Sequence, residues 1–276
     1  MIQFSYIKPE KDNNVAMKLQ GKVAVITGAG RGLGQASAVA MAKEGASVVI
    51  VSRTLSELKQ TADIIKRGGG EALAQKADVS RPKEVEAVVR KAFSRFGKVD
   101  VLMNNAAMVG PIRPLYKAQE RDWNKVVNTD LRAAFLFSKA VIPSMIEQGG
   151  GKIINVTSGL GVMVMPRAGL YSIAKAGLIH LTRMLAEELK EFNIQVNGLD
   201  PGMMDTMMQE NVRKLGPEVL GQETYEEFVA MKQEGHLKPP EQVARLAVFL
   251  ASGESGSLTG ENGTENYYRN LDIRMS

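Results

Sequence analysis

Residues 23–34 read VAVITGAGRGLG. The first five are small or β-branched apolar residues, which predict a buried strand over residues 23–27. Four glycines follow that strand: Gly28, Gly30, Gly32 and Gly34. Glycine lets a backbone approach a diphosphate closely, and the helix predicted over residues 32–44 directs its N-terminal N–H groups and dipole at the same place. This order of strand, glycine loop and helix therefore predicts a dinucleotide site, although the spacing G-x3-G-x-G differs from the usual G-x-G-x-x-G.

The rest of the chain alternates apolar runs with helical segments. Further strands are predicted over residues 47–51, 72–77, 99–103, 152–157 and 194–199. Helices are predicted over residues 54–67, 82–96, 119–147 and 171–190. Strands that are apolar on both faces and separated by helices indicate a parallel sheet covered on both sides, which is a doubly wound α/β sheet of the Rossmann type. Residues 1–16 are polar without periodicity and are predicted to be a flexible extension, so that residues 17–276 form a single domain.

Composition excludes several classes of function. The 276 residues are 44% hydrophobic and 24% charged, as in globular proteins. The absence of cysteine excludes disulfides, thiolate metal sites and a cysteine nucleophile, and with only two histidines we expect no metal. The net charge of +5 is scattered, so nucleic-acid binding is not expected. We find no apolar run of membrane-spanning length and no signal peptide, so we expect a cytoplasmic protein that does not bind membranes.

Further motifs follow the glycine loop in order. They are Asn104-Asn105-Ala106, Ser158 and Tyr171-x3-Lys175. Together with TGxxxGxG at residues 27–34, they resemble the classical short-chain dehydrogenase/reductase (SDR) family over about residues 18–260. The resemblance implies an NAD(P)-dependent oxidoreductase that acts on CH–OH groups.

The resemblance also implies four catalytic residues: Asn128, Ser158, Tyr171 and Lys175. Tyr171 and Lys175 are four residues apart on a predicted helix, so they share one face. A nearby ammonium favours phenolate, so we expect Lys175 to lower the pKa of Tyr171. In the family the tyrosine is the acid/base, the serine binds the substrate oxygen, and the lysine also holds the nicotinamide ribose. The asparagine, matched here to Asn128, holds a water in a proton relay.

The cofactor contacts are also predicted residue by residue. They are Gly28, Gly30, Arg31, Gly32, Leu33, Gly34, Ser52, Arg53, Asp78, Val79, Asn105, Ala106, Tyr171, Lys175, Pro201, Gly202 and Thr206. The resemblance places Asp78 at the adenine, Asn104 and Ala106 along the far side of the cofactor, and Thr206 at the carboxamide. The second strand ends at Ser52-Arg53 and lacks the carboxylate that repels a 2′-phosphate, while Arg53 can bind that phosphate. We therefore expect NADP(H) to be preferred, with NAD(H) as the alternative cofactor.

The predicted function is interconversion of a ketone and a secondary alcohol on a small, partly apolar substrate. Six methionines near the site either form an adaptable apolar pocket or fill the core: Met163, Met165, Met203, Met204, Met207 and Met208. Arg167 is a candidate for binding an anionic substrate. One alternative is 3-oxoacyl-carrier-protein reductase, but its surface arginines fall at Leu136 and Phe192 by a gapless count. A second alternative is a non-catalytic dinucleotide-binding regulator, which has no use for an intact Tyr171 and Lys175.

Two regions bear on assembly. The helix predicted over residues 119–147 has more apolar surface than one face needs, and in the family this helix pairs with its copy. We therefore expect a homo-oligomer, either a dimer or a tetramer. After Gly260 the chain reads ENGTENYYRN in place of the family's usual ending, so the sequence does not decide whether a seventh strand and its tetramer contacts are present.

His180, five residues past Lys175, is expected to be a packing or surface residue.

Overall fold

The fold is a parallel sheet with helices on both faces, and a computed structural model describes residues 17–271. The strands are β1 (Val23–Thr27), β2 (Ser47–Ser52), β3 (Glu71–Lys76), β4 (Val101–Asn104), β5 (Gly151–Val156), β6 (Ile194–Leu199) and β7 (Asn262–Gly263). They are ordered β3-β2-β1-β4-β5-β6-β7, and every pairing is parallel. The predicted doubly wound fold is confirmed. The extension predicted over residues 1–16 lies outside the described residues, as do residues 272–276.

Helices fill the connections between the strands. They are α1 (Gly32–Lys43), α2 (Leu55–Arg67), α3 (Pro82–Phe96), α4 (Glu120–Val127), α5 (Ala133–Glu147), α6 (Gly169–Glu188), α7 (Met207–Arg213), α8 (Gly216–Leu220), α9 (Gln222–Gln233), α10 (Pro240–Ala251) and α11 (Glu265–Asn270). Within residues 17–271, no helix combines the length and apolar character needed to cross a membrane.

The core lies on both faces of the sheet. Successive residues of a strand point to opposite faces, so Ile26 and Val25 of β1 belong to different apolar clusters. One cluster contains residues of α1 and α10, and the other contains residues of α3 and α5. All five residues of β1 are buried, which explains why its sequence is continuously apolar rather than alternating.

The strand order reverses at β1. This strand pairs with β2 on one side and with β4 on the other, so the connections leave in opposite directions. In such sheets the reversal opens a crevice beyond the carboxyl ends of the strands. Here it brings the glycine loop after β1 close to the segments that follow β4, β5 and β6.

The helix predicted over residues 119–147 is present without a gap from Glu120 to Glu147, but it is not α-helical throughout. It consists of α4, a π-helical turn over Asn128–Arg132, and α5. A π-helical turn holds one more residue than an α-helical turn, and such turns are frequent at functional sites. In this turn Asp130 is buried.

The seventh strand, which the sequence left open, is present as β7. Its two residues pair with Gly198 and Leu199 of β6. Tyr268 of α11 is fully buried and donates a hydrogen bond of 2.8 Å from its hydroxyl to the Gly198 carbonyl. The atypical ending therefore keeps a short seventh strand, and a tyrosine side chain anchors the helix that follows it.

Candidate functional site

A cleft of about 590 Å³ lies beyond the carboxyl ends of the strands. Most of the predicted cofactor residues line it: Gly28, Gly30, Arg31, Gly32, Leu33, Ser52, Arg53, Asp78, Val79, Asn105, Ala106, Tyr171, Lys175, Pro201 and Thr206. Gly34 and Gly202 are not among the lining residues. The cleft thus brings together residues that are far apart in sequence, from the glycine loop to the segment after β6.

The glycine loop is packed too tightly for side chains at two positions. A Cβ on Gly28, which has φ +66°, would lie 2.9 Å from the Ala106 Cα. A Cβ on Gly34 would lie 2.3 Å from the Gly28 carbonyl oxygen. Gly34 therefore does not line the cleft but lets α1 approach the loop closely. The sequence motif reflects this requirement for space.

Asn105 and Thr27 hold the loop in place. The Thr27 hydroxyl oxygen accepts hydrogen bonds from the backbone N–H groups of Asn105 (2.9 Å) and Ala106 (3.0 Å). The Asn105 amide donates to the Thr27 carbonyl at 2.8 Å. The segment after β4 thus fixes the shape of the loop after β1. Asn104 was expected to line the far side of the cofactor, but it is not among the residues that line the cleft. Its amide instead donates a hydrogen bond of 2.9 Å to the buried Asn155 on the neighbouring strand.

The loop and the start of α1 fit a dinucleotide diphosphate. No side chain caps this helix N-terminus, so the first-turn N–H groups are left without a capping acceptor. The side-chain-free surface at Gly28 and Gly30 borders the same cleft. Free N–H donors at a helix N-terminus together with glycines that admit close approach are what a diphosphate requires.

The outer end of the cleft carries mixed charge. Ser52 ends β2, and Arg53 follows it as an exposed residue that also lines the cleft. Glu57 of α2 lies beside Gly30 and forms an ion pair of 3.1 Å with Arg31. Glu57 was not predicted from the sequence, because nothing in its spacing places the first turn of α2 against the glycine loop. A carboxylate therefore does lie near this end of the cleft, although not at the end of β2.

The inner end of the cleft holds Tyr171 and Lys175 of α6. The Lys175 Nζ lies 5.5 Å from the centre of the Tyr171 ring, so the two side chains share one face as predicted. Lys175 is 2% exposed and donates a hydrogen bond of 2.7 Å to the Val156 carbonyl at the end of β5. Ser158 lies two residues further on, and its hydroxyl accepts a hydrogen bond from the Leu160 N–H at 3.2 Å.

Burial controls the proton affinities of this pair. Burial raises the pKa of Tyr171 well above its usual range, the negative charge of Asp130 adds to this, and the Ser158 side chain opposes it. The expected lowering of the Tyr171 pKa is therefore wrong for the free protein. Burial also lowers the pKa of Lys175, while the carboxylates of Asp130 and Asp200 act to raise it. Tyr171 is thus held as a neutral phenol, which is the form that can donate a proton.

The π-helical turn contributes Asp130 to this group, and this residue was not predicted from the sequence. Asp130 is 2% exposed, and its charge acts on both Tyr171 and Lys175. Asn128, two residues earlier, is half-buried and is not among the residues that line the cleft. An acidic residue next to apolar residues of a predicted helix is visible in the sequence. Only the structure shows that the Asp130 side chain is buried.

Three other expectations concern the region around the site. Arg167, with φ +70°, donates hydrogen bonds to the carbonyls of Glu218 (3.1 Å) and Val219 (2.7 Å) at α8, so its guanidinium already binds backbone carbonyls. Of the six methionines, three line the cleft: Met204, Met207 and Met208. His180 is exposed on α6, as expected. In the described part of the chain, no group of three or more acidic or histidine side chains could hold a metal ion.

Comparisons with known proteins agree with this geometry. The family model described as short chain dehydrogenase matches residues 22–215. An uncharacterized oxidoreductase from Thermotoga maritima is 37% identical over 246 residues, which is 88% of this chain and 95% of that protein. A 3-oxoacyl-[acyl-carrier-protein] reductase from the same organism is 35% identical, covering 89% of this chain and 96% of its own. The crystal structure of an NAD+-bound xylitol dehydrogenase has a TM-score of 0.83 at 29% identity, over 90% of this chain and 98% of that one.

Proposed function

Because this chain belongs to the short-chain dehydrogenase family and is an NAD(P)-dependent oxidoreductase acting on CH–OH groups, we propose that it interconverts a ketone and a secondary alcohol. We further propose that NADP(H) is its preferred cofactor and that its substrate is a small, partly apolar molecule. The observation that carries this proposal is the position of Tyr171 and Lys175 at the inner end of a cleft whose outer end is the glycine loop.

Each residue at the inner end of the cleft has a separate role in the proposed reaction. A bound nicotinamide supplies or accepts the hydride. Reduction of a carbonyl leaves negative charge on its oxygen, which needs a proton donor and a positive or hydrogen-bonding group nearby. Tyr171, protonated in the free protein, donates its phenolic proton to that oxygen. The Lys175 ammonium stabilises the phenolate that remains, and the Ser158 hydroxyl orients the substrate oxygen. The water-holding role predicted for Asn128 stays a prediction.

Two features support NADP(H). The second strand ends at Ser52 and Arg53 follows it, so no carboxylate occupies the position that repels a 2′-phosphate. Arg53 is exposed at the cleft and can form charge-assisted hydrogen bonds with a phosphate. Glu57 weakens the preference for NADP(H), because it holds the Arg31 guanidinium in an ion pair. The proposal therefore rests on the guanidinium of Arg53 more than on that of Arg31.

Methionines of the segment after β6 support an apolar substrate, although the Met207 sulfur accepts a hydrogen bond of 3.2 Å from Arg31 at the glycine loop. Met204, Met207 and Met208 line the cleft, and unbranched thioethers adapt to ligands of varied shape. Arg167 is bonded to α8 carbonyls, which weakens the case for an anionic substrate at that residue.

A second candidate is 3-oxoacyl-carrier-protein reductase, which the 35% identical relative favours. Leu136 and Phe192, which a gapless count places where such enzymes carry surface arginines, give no positive charge for docking an acidic carrier. We therefore rank this activity second.

One assay tests the proposal and its rival. Purified protein is given a panel of cyclic and aliphatic ketones, the corresponding alcohols and a 3-oxoacyl thioester, each with NADP(H) and NAD(H). We expect turnover of an apolar ketone with NADPH, which is measured as a loss of the absorbance of the reduced nicotinamide. Cofactor binding without turnover of any carbonyl would indicate the non-catalytic regulator, and preference for the thioester would indicate the second candidate. The cytoplasmic location stays a prediction from the sequence.

A further inference from the structure

Asp130 is a buried carboxyl group that the proposed chemistry does not use. It lies in the π-helical turn between α4 and α5 and is 2% exposed. Its Oδ1 accepts a hydrogen bond of 2.9 Å from the Met108 N–H. Its Oδ2 is buried and has no hydrogen-bond partner among residues 17–271. A buried polar atom without a partner is costly, and such atoms are rare in folded proteins unless a function retains them.

Lys175 lies on α6, which packs against the π-helical turn: a Cβ on Gly177 of α6 would lie 2.8 Å from the Leu131 side chain of the turn. The whole Lys175 residue is 2% exposed, and one of the three donors of its amine is bonded to the Val156 carbonyl. An ammonium removed from water to this extent tends to lose its proton unless a negative charge lies nearby. Two carboxylates act on it, Asp130 and Asp200. Asp200 is less buried and accepts a hydrogen bond from the Gly202 N–H at 2.9 Å, so Asp130 is the more deeply buried of the two acids.

We infer that Asp130 is a positioning residue that keeps the buried Lys175 amine protonated and thereby governs proton delivery by Tyr171. The inference deepens the proposed function, on which its kinetic part rests. The physical reason is that two buried groups of opposite charge stabilise each other's ionised form, so the loss of either charge favours neutralisation of the other.

The electrostatics of the cluster agree with this role. Burial raises the pKa of Asp130 to about 7, and the positive charge of Lys175 and the Met108 N–H oppose that rise. The carboxyl therefore ionises close to neutral pH. The charged and titratable groups that face the pair are Tyr171 on α6 and Asp200 after β6. Above neutral pH Asp130 is negative and supports the ammonium, and below it the acid is neutral and this support is lost.

Asp130→Asn removes the charge and leaves the shape. The amide oxygen can still accept the hydrogen bond from Met108, so the turn keeps that contact. An opposite charge at close range shifts a pKa by about 1–3 units. We therefore expect the Lys175 amine to lose its proton at a pH lower by about one unit or more. Asp122→Asn is the matched control, because it removes a carboxylate from the adjoining α4 whose ion partner is Arg121.

The primary measurement is the titration of Lys175 followed by NMR in protein labelled with ¹³C at the lysine ε-carbon. The signal is assigned by its loss in Lys175→Met. We expect a lower midpoint in Asp130→Asn than in the wild type and an unchanged midpoint in Asp122→Asn. The alkaline limb of the kcat/KM profile should move to lower pH in the same variant only. Equal Lys175 midpoints in wild type and Asp130→Asn would overturn the inference, even if the wild type reduces ketones as proposed.

A reciprocal measurement applies if Asp130→Asn does not fold. Lys175→Met removes the positive charge from the same pair, so the Asp130 carboxyl should then titrate at higher pH, as seen by ¹³C labelling of the aspartate carboxyl carbon. An Asp130 midpoint that does not move would refute the coupling. If both titrations shift while the wild type turns over no substrate, the proposed function fails and the coupling of the two buried groups remains.

Discussion

Gly34→Ala should damage the cofactor site by steric overlap alone. The added Cβ would lie 2.3 Å from the Gly28 carbonyl oxygen, 2.8 Å from its carbon and 2.5 Å from the Asn105 amide nitrogen. Two of these atoms are backbone, and Asn105 is itself bonded to Thr27, so none of the three can move cheaply. Either α1 must withdraw from the loop or the loop must open toward the cleft.

The size of the effect follows from the overlap. Overpacking of a tight site costs about 1–3 kcal/mol. Alanine is the better helix former by about 1 kcal/mol, which offsets part of this loss. In a chain of this size each kcal/mol lowers Tm by about 2–4 °C. The net loss of about 0–2 kcal/mol corresponds to a Tm lower by up to about 8 °C. We expect an NADPH affinity lower by about tenfold or more, since the diphosphate cradle is displaced.

The assay is thermal unfolding with and without NADPH, together with NADPH titration by fluorescence. Gly253→Ala is the control, because that glycine has no positive φ and no atom within 4 Å of the added Cβ. It should leave both Tm and affinity unchanged. If Gly34→Ala bound NADPH with wild-type affinity and melted at the wild-type temperature, the steric reasoning for the glycine loop would be refuted.

Three further predictions address the cofactor, the N-terminus and assembly. Ser52→Asp should shift the cofactor preference toward NADH, because a carboxylate at the end of β2 repels a 2′-phosphate. Glu57→Gln should shift it toward NADPH by releasing Arg31. Opposite shifts in the ratio of kcat/KM with NADPH to kcat/KM with NADH would contradict this reasoning. Removal of residues 1–16 should leave activity intact, since the segment has no apolar periodicity, whereas a Tm lowered by more than a few degrees would show that it packs on the domain. Light scattering should give a dimer or tetramer, because α5 carries exposed Phe135 among its apolar residues, and a 30.0 kDa particle would exclude this.

The fold could be predicted because its signal is local. The strand Val23–Thr27 and the helix Pro82–Phe96 have the predicted bounds, since burial on both faces of the sheet leaves an unbroken apolar run and helical periodicity is short-range. The π-helical turn at Asn128–Arg132 could not be predicted in this way. Its residues read as helical, and α4 and the turn itself pack against α6, which is a tertiary contact that helical periodicity does not show.

The candidate site was predicted where the motif itself sets the geometry. Tyr171 and Lys175 share a face because they are four residues apart on a helix. Glu57 and Asp130 were missed because their importance comes from tertiary contacts, with Arg31 in one case and with the buried Lys175 in the other. The direction of the Tyr171 pKa was predicted wrongly for the same reason. Spacing shows that an amine is near the phenol, but not how deeply both are buried.

Tyr171→Phe tests the central claim most directly. The substitution removes one hydroxyl and keeps the half-buried ring, so NADPH affinity and Tm should stay close to those of the wild type. Loss of a positioned acid costs about 10²–10⁴-fold in turnover, or about 3–5 kcal/mol of transition-state stabilisation. Tyr116→Phe, the same change at a tyrosine that is 83% exposed, should turn over normally. We predict that ketone reduction by Tyr171→Phe falls by at least two orders of magnitude while NADPH still binds, and near-normal turnover in that variant would contradict the account.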